Sequence, residues 1–414
     1  MSTIKKGNLL EFIRSTFIFN KLSKNLNHLT KLKLFNKNRK ILKRLNISFE
    51  NYKKDYENII LEIIPTQNNY INLKRDIIHY RDGIHIYIND SVKEFLHEYY
   101  IDPNPIDKIT IYLDKNIKSF SELFKKCDKI KSIKFVNFVR SHINSMYKMF
   151  NSCRNLETVD FYEFNSINVV NMSKLFHRCE KLTNIFNINN LRTDRCTNMS
   201  FMFSECKKLS NINLSHFKTS NLENMNGMFY SCSSLVSLNL INFNTNKVTE
   251  MSQLFQFCGH LKTIRMDNFD TSKVTNMDRM FFGCSSLKEL DFSHFNTVNV
   301  KNMHALFSDC SSLTKLNLNS FITSNCADMS YMFKNCFRLK EINNENFVTN
   351  NVKCHSYMFS CCKCLSIIDI KKIPLINDND IYTMFRDCWK KLVKKVLKFL
   401  HVNKESLYYN KFFD

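Results

Sequence analysis

The chain has 414 residues and a formal net charge of +22, with 44% hydrophobic and 24% charged residues; this composition belongs to folded chains, not disordered tails, and leaves room for two or three domains. Only five glycines and four prolines are present, which excludes a Gly-rich phosphate cradle and a flexible linker. The charge is spread, +9 over residues 1–126, +10 over 127–375 and +3 over 376–414, and so argues against a nucleic-acid partner, which needs clustered charge, while predicting weak, salt-sensitive attraction to acidic surfaces.

Residues 1–58 read as a basic helical segment in which Leu9, Leu10, Phe12, Ile13, Phe17 and Phe19 cluster. Glu11 and Arg14 interrupt the apolar run and no small-residue cleavage site follows, so the segment is not read as a secretory signal. No stretch reaches the ~18 apolar residues of a membrane span. These features predict an intracellular protein whose sixteen cysteines stay thiols. The run Phe17-Ile18-Phe19-Asn20-Lys21-Leu22, followed by Lys31-Leu32-Lys33-Leu34, faintly resembles an F-box. That resemblance implies a hook for a ubiquitin-ligase adaptor. The opening proline and the tryptophan of that motif are missing, and a plain helical cap is the alternative.

Residues 59–108 change character and read as an α+β cap region. Ile59 to Ile64 and Ile84 to Ile88 have strand character, Ser91 to Tyr99 that of a short helix, and Asp102-Pro103-Asn104-Pro105 breaks structure. Ile109-Thr110-Ile111-Tyr112-Leu113 is expected to open an atypical first coil.

From there a ruler governs the chain. Cys127, Cys153, Cys179, Cys206, Cys232, Cys258, Cys284, Cys310, Cys336, Cys362 and Cys388 are 26 residues apart, except for one gap of 27 between Cys179 and Cys206. Catalysis and metal binding require no such regularity; a stack of equal coils does. In one unit Met225, Met228, Phe229, Cys232 and Leu235 are spaced as the inward face of a short helix, and Leu238 and Leu240 as a strand with alternate side chains buried. The Met-Phe stripe is read as core, since unbranched Met fills gaps between coils. The extra residue predicts a bulge near Phe186 and Asn187. The ruler cysteines are predicted to form a ladder of buried thiols: stacked equivalents point the same way, whereas a disulfide needs converging Cβ vectors.

The segments L-D-F-S-H-F-N-T-V-N-V-K-N-M-H-A-L-F-S-D-C (Leu290 to Cys310) and L-N-L-I-N-F-N-T-N-K-V-T-E-M-S-Q-L-F-Q-F-C (Leu238 to Cys258) resemble the repeat first named in mycoplasma lipoproteins, a relative of BspA-like leucine-rich repeats. The resemblance spans roughly residues 109–388. It implies an α/β, right-handed leucine-rich-repeat solenoid of about ten 26-residue coils, with a binding or adhesive role and no catalytic residues to carry over. The export signal of the bacterial members is not seen here.

Residues 389–414 read as a capping helix and tail. Trp389, Leu392, Val393, Val396, Leu397 and Leu400 form one apolar face, and Trp389 is expected to plug the end of the stack.

Cys354, His355, Cys361 and Cys364 have the residue types and short spacing of a zinc site, but they stand where other repeats place Met, Asn, Ser or Lys. No catalytic constellation recurs and no cofactor is predicted. The working surface is expected on the strand face, at Asp160, Asn213, Asn239, Arg265, Asp291, Asn317, Asn343 and Asp369, hydrogen-bonding groups suited to a protein or peptide ligand. The overall reading is a protein-interaction scaffold, with a surface adhesin or a ligase substrate receptor as alternatives. Asn and Lys abundance reads as the imprint of an AT-rich genome.

Overall fold

A computed structural model describes residues 59–66, 70–72, 78, 83–89, 99–101, 105–114, 116–138, 142–373, 378–399 and 401. The F-box-like run, the helix expected from Ser91 and the tail beyond residue 401 lie outside them.

Strands β1 (Ile59–Pro65), β3 (Ile84–Ile88) and β5 (Ile109–Leu113) alternate buried isoleucine and leucine with more exposed residues, the pattern of a sheet buried on one face. β2 (Tyr70–Asn72) and β4 (Tyr99–Ile101) form a separate antiparallel pair. β5 lies antiparallel between β3 and β1, so it belongs to the cap sheet and does not open the stack of coils. β1 then pairs antiparallel with β6 (Ile130–Asn137). From β6 onward the pairing is parallel, through β7 (Thr158–Asp160) and β8 (Asn184–Phe186). The cap therefore covers the first edge of the solenoid by continuing its sheet.

The helix expected in each coil is absent, and a wall of turns stands in its place. In Asn171–Cys179, the amides of Met172, Lys174, Phe176 and Arg178 donate to the next coil's Asn198, Ser200, Met202 and Ser204 at 2.8–2.9 Å. The intervening amides of Leu175, His177 and Cys179 close local turns onto Met172, Lys174 and Phe176. Asn171 Oδ1 accepts the remaining amide, from Ser173, at 2.9 Å. Every amide from Met172 to Cys179 is thus satisfied. To alternate in this way the chain adopts left-handed φ at Lys174 (57°) and Arg178 (60°), and the equivalent residues of neighbouring coils do the same. Met172, Leu175, Phe176 and Cys179 all point inward and are fully buried. Their spacing is that of a helical face, which explains why the periodicity suggests one.

The inward phenylalanines stack coil upon coil, from Phe124–Phe150 to Phe359–Phe385, with centroids 5.3–5.9 Å apart. Each such pair adds about 0.5–1.5 kcal/mol beyond the burial of its area. Each ladder thiol from Cys153 to Cys388 donates to the previous coil's phenylalanine carbonyl, as Cys258 Sγ does to Phe229 O at 3.1 Å. The first ten ladder cysteines are buried and Cys388 is partly exposed.

The return stretch, polar in sequence, is a third wall. Thr219 is buried; its hydroxyl donates to Asn244 O at 3.0 Å and accepts the Asn244 amide at 2.7 Å. Thr193 and Thr323 bridge their coils in the same way. Asparagine amides add further cross-links, such as Asn299 Nδ2 to Ser272 O at 2.7 Å.

The 27-residue coil carries the expected bulge. Asn187 is left-handed (φ 51°) and leads into a single 3-10 turn, Ile188–Asn190. Strand pairing stops at β8 and resumes only at β9 (Ser237–Asn239) with β10 (Thr263–Arg265), and again at β11 (Lys315–Asn317) with β12 (Glu341–Asn343). At the far end, α1 (Asp378–Met384) and α2 (Lys390–Phe399) close the stack, with Leu392, Val393, Val396 and Leu397 buried. Trp389 does not plug it. The indole is 37% exposed, because Trp389 precedes α2 and its carbonyl accepts the Leu392 and Val393 amides, which holds the residue at the rim.

Candidate functional site

Each short strand turns its middle residue toward the core and its ends outward, as Ser237–Asn239 does around Leu238. The last residue of each strand therefore stacks into one outward column. Register places Asn239 beside Arg265 and Asn317 beside Asn343.

Most of the polar groups in this column already serve the fold. Asn213, Asn239, Asp291, Asn317 and Asp369 each accept, through Oδ1, the amide two residues on at 2.9–3.1 Å, closing the turn that follows the strand. The same bond to Ser293 holds the Asp291 carboxyl below its ordinary range. Asp160 accepts from Asn187 Nδ2 at 2.7 Å, and Arg265 pairs with Asp267 at 3.0 Å. Asn343 is half-buried. The side chains of the column are thus largely fixed in place and present their remaining lone pairs and amide hydrogens outward.

Where strand pairing lapses after the bulge, the column opens into a hollow of about 250 Å³ lined by Asn211–Ser215, Ser237, Asn239, Ile241 and Asn242. Phe186 stands in the same column, in register with Asp160, and is 52% exposed. Sequence reasoning missed this exposed aromatic ring. The signal was there, since Phe186 stands one 26-residue period after Asp160, but an apolar residue was passed over in a column read as hydrogen-bonding groups.

The candidate metal ligands do not converge. Cys354 and Cys364 are exposed, Cys361 is partly exposed and His355 is buried at a position where other coils place Met. Among the described residues, no three His, Cys, Asp or Glu side chains are arranged to hold a metal ion.

A second aromatic row, also missed, runs across the turn wall through Phe201, Tyr230, Phe257 and Phe282, with centroids 5.1–6.4 Å apart. Two glycines make room for it. A Cβ at Gly227 would lie 2.4 Å from the Phe201 ring, and one at Gly283 would lie 2.8 Å from Phe257.

The class defined by these features is a leucine-rich-repeat solenoid of right-handed parallel coils. The family described as "Mycoplasma protein of unknown function, DUF285" matches residues 118–237, 234–340, 258–373 and 291–398, and the chain belongs to it. Among solved structures, a leucine-rich cell surface protein of Faecalibacterium prausnitzii A2-165 is similar at 15% identity and a TM-score of 0.27, over 71% of this chain and 94% of its own. A leucine-rich repeat protein of Eubacterium ventriosum ATCC 27560 is similar at 17% identity and a TM-score of 0.28, over 63% of this chain and 83% of its own. No curated protein matches. No helix among the described residues is long and apolar enough to cross a membrane.

Proposed function

We propose that the chain is a non-catalytic, BspA-like protein-interaction scaffold that grips a protein or peptide through the strand face around Phe186 and the adjoining hollow. The observation behind this reading is the exposed Phe186 in a column of side chains already fixed by the fold. An aromatic anchor on a rigid surface loses little conformational freedom on binding. The test replaces Phe186 by Ser together with Asn213→Asp and Asn239→Asp. Asp291 and Asp369 already cap their turns with a carboxylate, so these changes alter charge and shape while keeping the turns closed. Proteins retained by the full chain are expected to be lost from the triple variant while its melting temperature holds. Retention of the same set by both would overturn the assignment. Protease shaving of intact cells separates the two locations: protection supports an intracellular scaffold, and cleavage supports a surface adhesin.

A further inference from the structure

The end of the stack carries a second recognition feature, independent of the strand face. A cleft of about 660 Å³ lies between the last coils and α2, lined by Phe337, Lys363, Tyr382, Arg386, Trp389 and Lys390, with Asp387 among its other residues. This volume falls in the range of ligand-sized sites. Phe337 and Trp389 occupy the position immediately after a ruler cysteine, where earlier coils place residues such as Lys207, Ser233, Gly259 and Ser285. They are 40% and 37% exposed, so the cleft offers two large aromatic surfaces that the fold does not need to bury.

Positive charge predominates around these rings. Asp387, the only acid among the described residues lining the cleft, has Arg386 Nε at 3.6 Å. Lys363 Nζ lies 5.7 Å from the Phe337 ring centroid, and Lys391 Nζ lies 5.7 Å from that of Trp389. Lys390, Lys391, Lys394, Lys395 and Lys398 are all exposed on α2, a helix without an acidic residue.

We propose that this cleft binds an acidic peptide segment of a partner protein, with an aromatic or aliphatic side chain seated between Phe337 and Trp389 and flanking carboxylates paired with Lys363 and Lys390. Charge complementarity selects the occupant. A membrane surface fits less well, because the apolar face of α2 (Leu392, Val393, Val396 and Leu397) is buried in the protein and cannot enter lipid. Nucleic acid fits less well too, because its phosphates call for a long basic stripe, whereas the cations lining the cleft are Lys363, Arg386 and Lys390.

The chain contains one tryptophan, so the emission of Trp389 reports directly on the cleft. The probes are an acetylated peptide of glutamates interspersed with leucine and phenylalanine, its lysine-for-glutamate counterpart, phosphatidylserine vesicles and oligo-dT. With the full chain, the acidic peptide is expected to give a saturable shift of Trp389 emission, weakened by salt. Lys363→Glu with Lys390→Glu is expected to weaken binding roughly tenfold or more, with the melting temperature unchanged. An equal response to the lysine peptide, no saturable response to the acidic one, or an unaltered affinity in the double variant would overturn the proposal. A response confined to vesicles or to oligo-dT would also overturn it, and would reassign the lysine face to that partner. Because Phe186 is absent from this cleft, its substitution leaves the emission change intact even if the strand-face reading fails.

Discussion

A ladder thiol gives its hydrogen to a carbonyl that already accepts an amide: Phe229 O receives both the Cys232 N–H and the Cys258 S–H, each at 3.1 Å. Cysteine suits the position because it packs as a small apolar side chain and still carries a weak donor. Alanine would leave a void and remove the donor; serine would bury a more polar group. The arrangement links stability to proton binding. Burial pushes the Cys258 thiol from 9.0 up to about 12, and burial likewise raises Cys232 and Cys284 well above 9.0. Since the folded pKa lies above the unfolded one, this stabilisation is fully present below about pH 9 and is lost as pH rises toward 12. Each thiol contributes a slope of about 1.4 kcal/mol per pH unit in that window. Chemical denaturation measured at a series of pH values above 9 should therefore show stability falling steeply, with Cys258→Ala shallower by about one proton. A flat profile would mean that the thiols do not keep their protons in the folded state.

At the scale of the coil, the period and the inward residues are legible in the sequence, and the local conformation is not. Met172, Leu175, Phe176 and Cys179 have the same spacing on a helix as on a turn wall. What separates the two is left-handed backbone at Lys174 and Arg178, residue types that give no hint of it. Asn171, Asn299 and Thr219 were equally opaque: nothing in their residue type sets them apart from solvated polar residues, yet they satisfy backbone groups within and between coils. Phe186 follows from the period as the other strand-face positions do, one repeat after Asp160, and was passed over because it is apolar; the extra residue is absorbed just after it, at Asn187. Deleting Asn187 tests that account. A coil restored to 26 residues sheds a left-handed non-glycine, which costs about 1–2 kcal/mol, and is expected to extend strand pairing from β8 into 211–213. The loss of the Asn187–Asp160 bond offsets part of this, so a net gain of about 1 kcal/mol is expected on thermal melting. A loss of stability would show that the bulge is held by contacts the period does not capture.

Across the whole molecule, each coil bonds chiefly to the coil before and the coil after it, so stability is close to a sum of nearest-neighbour terms. Excising residues 259–284 joins Cys258 to Ser285 without changing the register of any coil that remains. The shortened chain should fold, melt cooperatively and melt only modestly lower than the parent. Excising half that length puts strand against turn wall and should abolish folding, as circular dichroism would report. If the one-coil deletion failed as completely as the half-coil deletion, the stack would be a single cooperative unit whose interfaces cannot be exchanged.

The turn wall has a polarity. Its four cross-coil amides per repeat, such as Met172, Lys174, Phe176 and Arg178, all donate toward the carboxyl-terminal neighbour. Some bonds elsewhere in the coils, including Val170 N to Asn144 O and Thr197 N to Val170 O, run the opposite way and cancel part of the sum. Peptide dipoles aligned over successive coils add as they do along a helix, but in the reverse sense, since helical N–H groups point toward the amino end. This wall is thus an electrical axis with its positive pole at the last coil, beside Lys363 and Lys390. An anion approaching that end meets ordered backbone charge as well as mobile side chains, and salt screens the buried part less than the exposed lysines.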